Sequence, residues 1–177
     1  MLSDITLVTQ VAVFGNKKAF DQLVRKYQSP VRRFLLNLTL GDSQLSDDLA
    51  QDTFIKVYSN IAQFRGLSCF QTWLFRIAYN VFYDYTRKHR MTEDIDMAMT
   101  KSLMTSKDRT GMKVDVYEAL SILKEEERTC ITLQLIDGYP IEDISKITGM
   151  PAGTIKSHLH RGKEKMANYL KQNGYGR

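Results

Sequence analysis

The stretch PAGTIKSHLHRGKEKM, residues 151–166, decides how this chain is read. Ile155, Leu159, Met166 and Leu170 recur at helical spacing, and Gly162 fills the gap in their row. Together they make one apolar stripe. Lys156, Ser157, His160, Arg161 and Lys163 lie on the opposite side. From Thr154 to the end of the chain, six Lys/Arg stand against one Glu, an excess equal to the net charge of +5 of the whole chain. Just upstream, IEDISKITGMPAG sets Ile141, Ile144 and Ile147 on a short amphipathic helix. Gly149 supplies the positive φ of a sharp turn, and Pro151 starts the next helix with φ preset. A short helix, a glycine turn and a longer basic helix have the shape of a helix-turn-helix. The second helix of that motif enters the major groove of duplex DNA. Arg161 and Lys156 suit guanine O6 and N7, Ser157 suits base or phosphate, and Lys163 and Lys165 suit phosphates. His158 and His160 are two residues apart and share no helix face, so no zinc site is expected.

Working outward, the 177 residues are 43% hydrophobic and 25% charged, enough for one domain or two small ones. The basic balance favours an acidic partner. Two cysteines, Cys69 and Cys130, form no CxxC and read as free thiols in a reducing compartment. The N-terminus has no basic leader and no small-residue cleavage site, so it is not a secretory signal. No apolar run approaches a membrane span of about 20 residues. The expected location is the cytoplasm, with no membrane contact. A P-loop and a paired-carboxylate metal arrangement are both missing, and with three histidines the chain does not read as an enzyme. No cofactor and no metal are expected.

Most of the chain reads as helix. Two helices are expected from Asn16 to Leu40, broken near Ser29-Pro30, with apolar stripes of Ala19, Leu23 and Tyr27 and of Phe34, Leu35 and Leu38. Asp47 and Asp48 are expected to open the next helix, where they suit its positive end. Along SDDLAQDTFIKVYSNI, Ala50, Phe54, Val57 and Ile61 should face the core, while Asp48, Gln51, Asp52 and Ile55 face outward as a docking face for another protein. FRGLSC reads as a loop, followed by a long helix from Phe70 to about Arg90. Trp73, Ile77 and Val81 make its inner stripe; Thr72, Arg76, Asn80, Tyr83 and Arg87 make an outer one, with Phe75, Phe82 and Tyr79 close by and Phe75 and Phe82 leaning toward the core. Arginine, asparagine and exposed rings on one face suit unpaired bases, which stack on rings and bond at their edges. Residues 91–113 are polar and read as a linker, partly disordered. The expected fold is all-α: two small helical domains, 1–90 and 114–177, on a flexible tether.

The succession AFDQLVRKY, DDLAQDTFIKVY, FRGLSCFQTWLFRIAYN and LKEEERTCITLQLIDGYPIEDISKITGMPAGTIKSHLHRGKEKM resembles the bacterial RNA polymerase sigma factors of the extracytoplasmic-function (ECF) group. The resemblance covers nearly the whole chain outside the linker. It implies a region 2-type bundle followed by a region 4-type helix-turn-helix. It implies polymerase clamp docking through Asp48, Gln51, Asp52 and Phe54. Capture of an opened minus-10 element would fall to Arg65, Ser68, Cys69, Phe70, Thr72, Trp73, Arg76, Asn80, Tyr83 and Arg87, with Leu67, Ser68 and Cys69 shaping a pocket for a flipped base. Thr154, Lys156, Ser157, His160, Arg161 and Lys163 would read the minus-35 element. The implied partners are core RNA polymerase, promoter DNA and an anti-sigma factor, with a free chain that is monomeric. This sequence departs from the family habit at Leu67, often acidic, at His158, often Arg, and at Pro140, often a Ser or Thr cap. The rival reading is a stand-alone helix-turn-helix regulator, which would leave the Trp73–Arg87 stripe without a task.

Overall fold

The computed structural model describes residues 3–93 and 112–174, with the side chains of 3–90 and 116–174. Most of the expected linker, 94–111, lies outside the described residues. No strand occurs among the described residues. Four helices form the first unit: α1 (Asp4–Phe14), α2 (Lys17–Leu38), α3 (Ser43–Asn60) and α4 (Phe70–Glu93). Four form the second: α5 (Met112–Ser121), α6 (Glu125–Ile131), α7 (Ile141–Thr148) and α8 (Ala152–Gln172).

Helix α2 runs unbroken through Pro30, where two helices are expected from sequence. A proline inside a helix costs about 3 kcal/mol through the lost hydrogen bond and the ring clash. On both sides of it, Ala19, Leu23, Tyr27, Val31, Phe34 and Leu35 continue one buried stripe. Each large apolar side chain so buried contributes about 1.5–3 kcal/mol, which outweighs the break. Helix α3 begins before the acidic pair: Asp42 caps it by accepting from the Leu45 N–H at 3.0 Å. Val57 and Ile61 are buried as expected, but the first half of the inner stripe lies one residue earlier. Leu49, Thr53 and Val57 are buried, whereas Ala50 and Phe54 are half-buried.

Helix α4 is covered on two sides. Val81 is buried as expected, and Leu74 and Ala78 are buried with it, whereas the expected Trp73 and Ile77 are only half-buried. Phe75, Tyr79 and Phe82 are buried as well. On this side α7 of the second unit packs along α4, and the Phe75 ring meets both Tyr139 and Phe34 of α2 at 5.2 Å. The two helical units are therefore in contact, beyond what a tether alone requires. Arg33 of α2 bonds Asp137 at 2.7 Å, and Arg128 donates to the Leu38 carbonyl at 2.9 Å. Gly41, at φ +88, leaves room for the Tyr117 ring, which a Cβ there would approach to 2.8 Å.

In the second unit, α6 continues through a wide π-helical turn, Thr132–Ile136, before the chain reverses into α7. Gly149 takes φ +75, and its N–H donates to the Ser145 carbonyl, closing α7. Pro151 stands just outside α8, in extended conformation, and aims the chain into it. Ile155, Leu159 and Gly162 are buried against α6. A Cβ on Gly162 would lie 2.8 Å from Ile131 Cγ1, so the glycine sets how closely α6 and α8 approach.

Arg128→Met keeps the apolar stem but removes three hydrogen bonds to buried carbonyls, of which Leu120 keeps the Leu123 N–H at 3.2 Å. Each such loss costs about 1–3 kcal/mol before relaxation, so a net destabilisation of about 3 kcal/mol is expected. A urea melt of the variant against wild type checks it.

Candidate nucleic-acid and polymerase interfaces

Three separate surfaces carry the residues singled out from sequence. The first is the outer face of α8. Thr154, Lys156, Ser157, His160, Arg161 and Lys163 are all exposed there. Ser157 Oγ bonds back to the Gly153 carbonyl at 3.0 Å, and Lys163 Nζ donates to Gln134 Oε1 at 3.0 Å. Arg161 is tied inward: its Nε donates to Glu127 of α6 at 3.4 Å, and its Nη2 lies 3.1 Å from His158 Nδ1. Lys165 donates to the same Glu127 at 2.7 Å. Burial alone would raise the Glu127 carboxyl. Lys165, the Lys124 backbone N–H and Arg161 outweigh that and hold it below its ordinary value. Glu127 was not legible as a site residue, since its only sequence signal is its place in an acidic run at the start of α6.

The second surface is the 64–69 loop and the outer side of α4. Phe64, Phe70 and Trp73 form a ring cluster with centroids 5.5–5.8 Å apart. Tyr27 of α2 joins it through Phe70 at 5.6 Å. This cluster clamps both ends of the loop. Phe70 is 4% exposed and Thr72 1% exposed, so both belong to the support of the surface and not to its outer face. Thr72 acts on the loop through Cys69, whose Sγ lies 2.9 Å from Thr72 Oγ1. Arg65, Cys69, Arg76, Asn80 and Arg87 are exposed; Ser68, Trp73 and Tyr83 are half-buried. Leu67 is 87% exposed at the loop tip, beside Gly66 at φ +69. Arg87 is paired with Asp84 at 3.3 Å. Tyr79, expected near the surface, is 8% exposed and packs against the Tyr83 ring at 4.4 Å.

The third surface lies on α3. Asp48, Gln51, Asp52 and Ile55 are exposed together, and Phe54 is half-buried beside them. Sequence reading missed what adjoins this face. Between α2 and α3 runs an almost wholly apolar groove lined by Phe20, Val24, Phe54, Ile55 and Tyr58, with Lys17 and Gln51 at its margin. Phe20 and Tyr58 pack edge to face at 4.9 Å. Its α2 members escaped notice because their exposed side was not separable from the core stripe by periodicity.

Among the described residues, no three His, Cys, Asp or Glu side chains are grouped to hold a metal ion. No described helix is long and apolar enough to cross a membrane.

Comparison with known proteins adds to this geometry. The family described as Sigma-70 region 2 matches residues 23–92, and the one described as Sigma-70, region 4, matches residues 113–166. The chain is 32% identical to the ECF RNA polymerase sigma-E factor of Haemophilus influenzae, with 96% of each chain covered. It is 32% identical to the RNA polymerase sigma-H factor of Pseudomonas aeruginosa, with 85% of each covered. The sigma factor RpoE of Bartonella quintana, solved in complex with the anti-sigma factor NepR, matches with a TM-score of 0.74 at 30% identity. That match covers 87% of this chain and 98% of that one.

The held-down Glu127 carboxyl has a pH signature. Its folded pKa lies below the ordinary 4.5, so its stabilising contribution is fully present above that value and is lost as pH falls through the folded one. Urea melts of wild type and Glu127→Gln should differ at neutral pH and converge as the medium becomes more acid than the folded carboxyl's pKa.

Proposed function

The chain belongs to the sigma-70 family, in its ECF group, and from that premise we infer how its three surfaces divide the work of starting transcription. The protein is a sigma factor: it joins core RNA polymerase and directs initiation to chosen promoters. What supports the division of labour is that three chemically different surfaces stand on three different elements of one scaffold.

The exposed basic face of α8 reads the minus-35 duplex, with Thr154, Lys156, Ser157, His160 and Arg161 near base edges and Lys163 on phosphate. The loop tip and outer α4 take the minus-10 strand once its bases leave the stack. Arg65 and Arg87 meet the backbone, Arg76 and Asn80 bond base edges, and Trp73 and Tyr83 offer ring faces. Phe70 and Thr72 act from beneath, by holding the loop. Asp48, Gln51, Asp52 and Phe54 dock on the polymerase, and the adjoining apolar groove extends that surface with a desolvated centre beside a polar margin. Residues 1–90 and 114–177 serve as the two working units and 91–113 as their connection.

Each DNA contact is weak by itself. Fixed on one polymerase, binding of the second element becomes intramolecular, and affinity rises without new contacts. Capture of unstacked bases then biases the duplex toward opening. The subunit performs no covalent step, works in the cytoplasm and is monomeric when free. An anti-sigma factor is its natural antagonist, since RpoE of Bartonella quintana was crystallised with one.

Two substitutions test the assignment in transcription reconstituted with core polymerase on a promoter library. Arg161→Ala should relax preference at one position of the upstream element, at a cost of about 1–3 kcal/mol; unchanged promoter choice would remove Arg161 from the groove. Asp52→Lys should weaken polymerase binding and leave duplex binding by the chain intact; loss of both would show misfolding.

A further inference from the structure

We propose that Glu127 is a positioning residue for promoter reading: from α6 it holds Arg161 and Lys165 of the recognition helix and thereby sets base discrimination at the upstream element. The proposal rests on the reading of α8 as the groove-binding helix.

The geometry is that of a buttress. The Glu127 side chain is 2% exposed, whereas Arg161 and Lys165 are 53% and 39% exposed. One carboxylate oxygen accepts from Arg161 Nε at 3.4 Å; the other accepts from Lys165 Nζ at 2.7 Å and from the Lys124 backbone N–H at 3.2 Å. The carboxylate is thus anchored in its own helix while it grips the neighbouring one. The grip is possible because Gly162 lets the helices close: a Cβ there would sit 3.8 Å from Glu127 Cβ as well as 2.8 Å from Ile131. With Nε engaged, Arg161 keeps its two Nη groups for an outside acceptor, and His158 steadies one of them at 3.1 Å.

Two consequences follow, with opposite effects on binding. A free arginine loses rotamer entropy when it meets a base edge, and one already held loses less. Glu127 thereby strengthens the specific contact. The same negative charge offsets two cations that would otherwise attract phosphate from any sequence, so it weakens non-specific binding. Both effects widen the gap between the right site and all others, which is what specificity is. A residue that merely held the fold would move both kinds of binding in the same direction.

The test uses the full chain, with core polymerase for promoter choice and by itself for binding to a non-promoter duplex. Glu127→Gln keeps the shape and an acceptor for the Lys124 N–H. Discrimination against a single-base change in the upstream element should fall by about fivefold or more, the range one arginine–guanine contact supplies. Non-specific binding should strengthen several-fold, with a steeper salt dependence. Glu127→Asp keeps the charge and loses the reach; it should lose discrimination without gaining non-specific affinity. In an Arg161→Ala background, Glu127→Gln should cause no further loss of discrimination. Wild-type discrimination in a folded Glu127→Gln or Glu127→Asp variant overturns the proposal, as does a parallel fall of specific and non-specific binding. If Arg161→Ala itself leaves discrimination unchanged, the groove reading of α8 is what fails.

Discussion

The interaction on which the rest depends is the buried guanidinium of Arg128. It donates to the carbonyls of Leu120, Leu123 and Leu38 at 2.9–3.1 Å. Burial lowers its pKa, as it must for a cation removed from water. Backbone oxygens supply the compensation. Two of them belong to the end of α5 and the turn after it, and the third to the end of α2, so a single side chain orders the entry to α6 and binds the two units together. A buried charge with its donors used in this way is tolerated only in one geometry, since any displacement leaves it unpaired. The orientation of α6 is thereby set, and α6 carries both Glu127 and Ile131, against which α8 rests.

Helix α4 shows how packing and function share one element. Two of its sides are consumed by cores, one within the first unit and one against α7. What remains outward is a narrow strip with Arg76, Asn80 and Arg87 exposed and Trp73 and Tyr83 partly so. The aromatic residues around the loop are mainly structural: Phe64, Phe70 and Trp73 brace the two ends of a loop whose tip, Leu67, stands free. On the proposed minus-10 role, a braced base beneath an exposed tip would present the loop to unpaired bases with little ordering cost. Asp137 illustrates the cost of the contact between units. Burial pushes its carboxyl up against the pull of Arg33, and its second oxygen has no hydrogen-bond partner among the described residues.

The sequence by itself determined the features that depend on near neighbours. The turn at Gly149, the α8 stripe of Ile155 and Leu159, the open basic face of the same helix and the exposed acidic side of α3 all follow from periodicity and turn chemistry, and the structure has them. The family motifs were legible for the same reason, as contiguous strings. Tertiary structure decided what depends on residues remote in sequence. Pro30 is carried inside α2 because the core on both sides outweighs one missing bond. The first half of the α3 stripe moves by one residue while Val57 and Ile61 stay inward, and α4 gains a second buried side, because both depend on partner helices that no local pattern specifies. Glu127 became a candidate site residue only when α6 and α8 closed over Gly162. A helix records in its own sequence that it has an apolar face. Which further faces are covered, and which charges meet there, is settled by long-range packing, where burial of surface and pairing of charge are decided together.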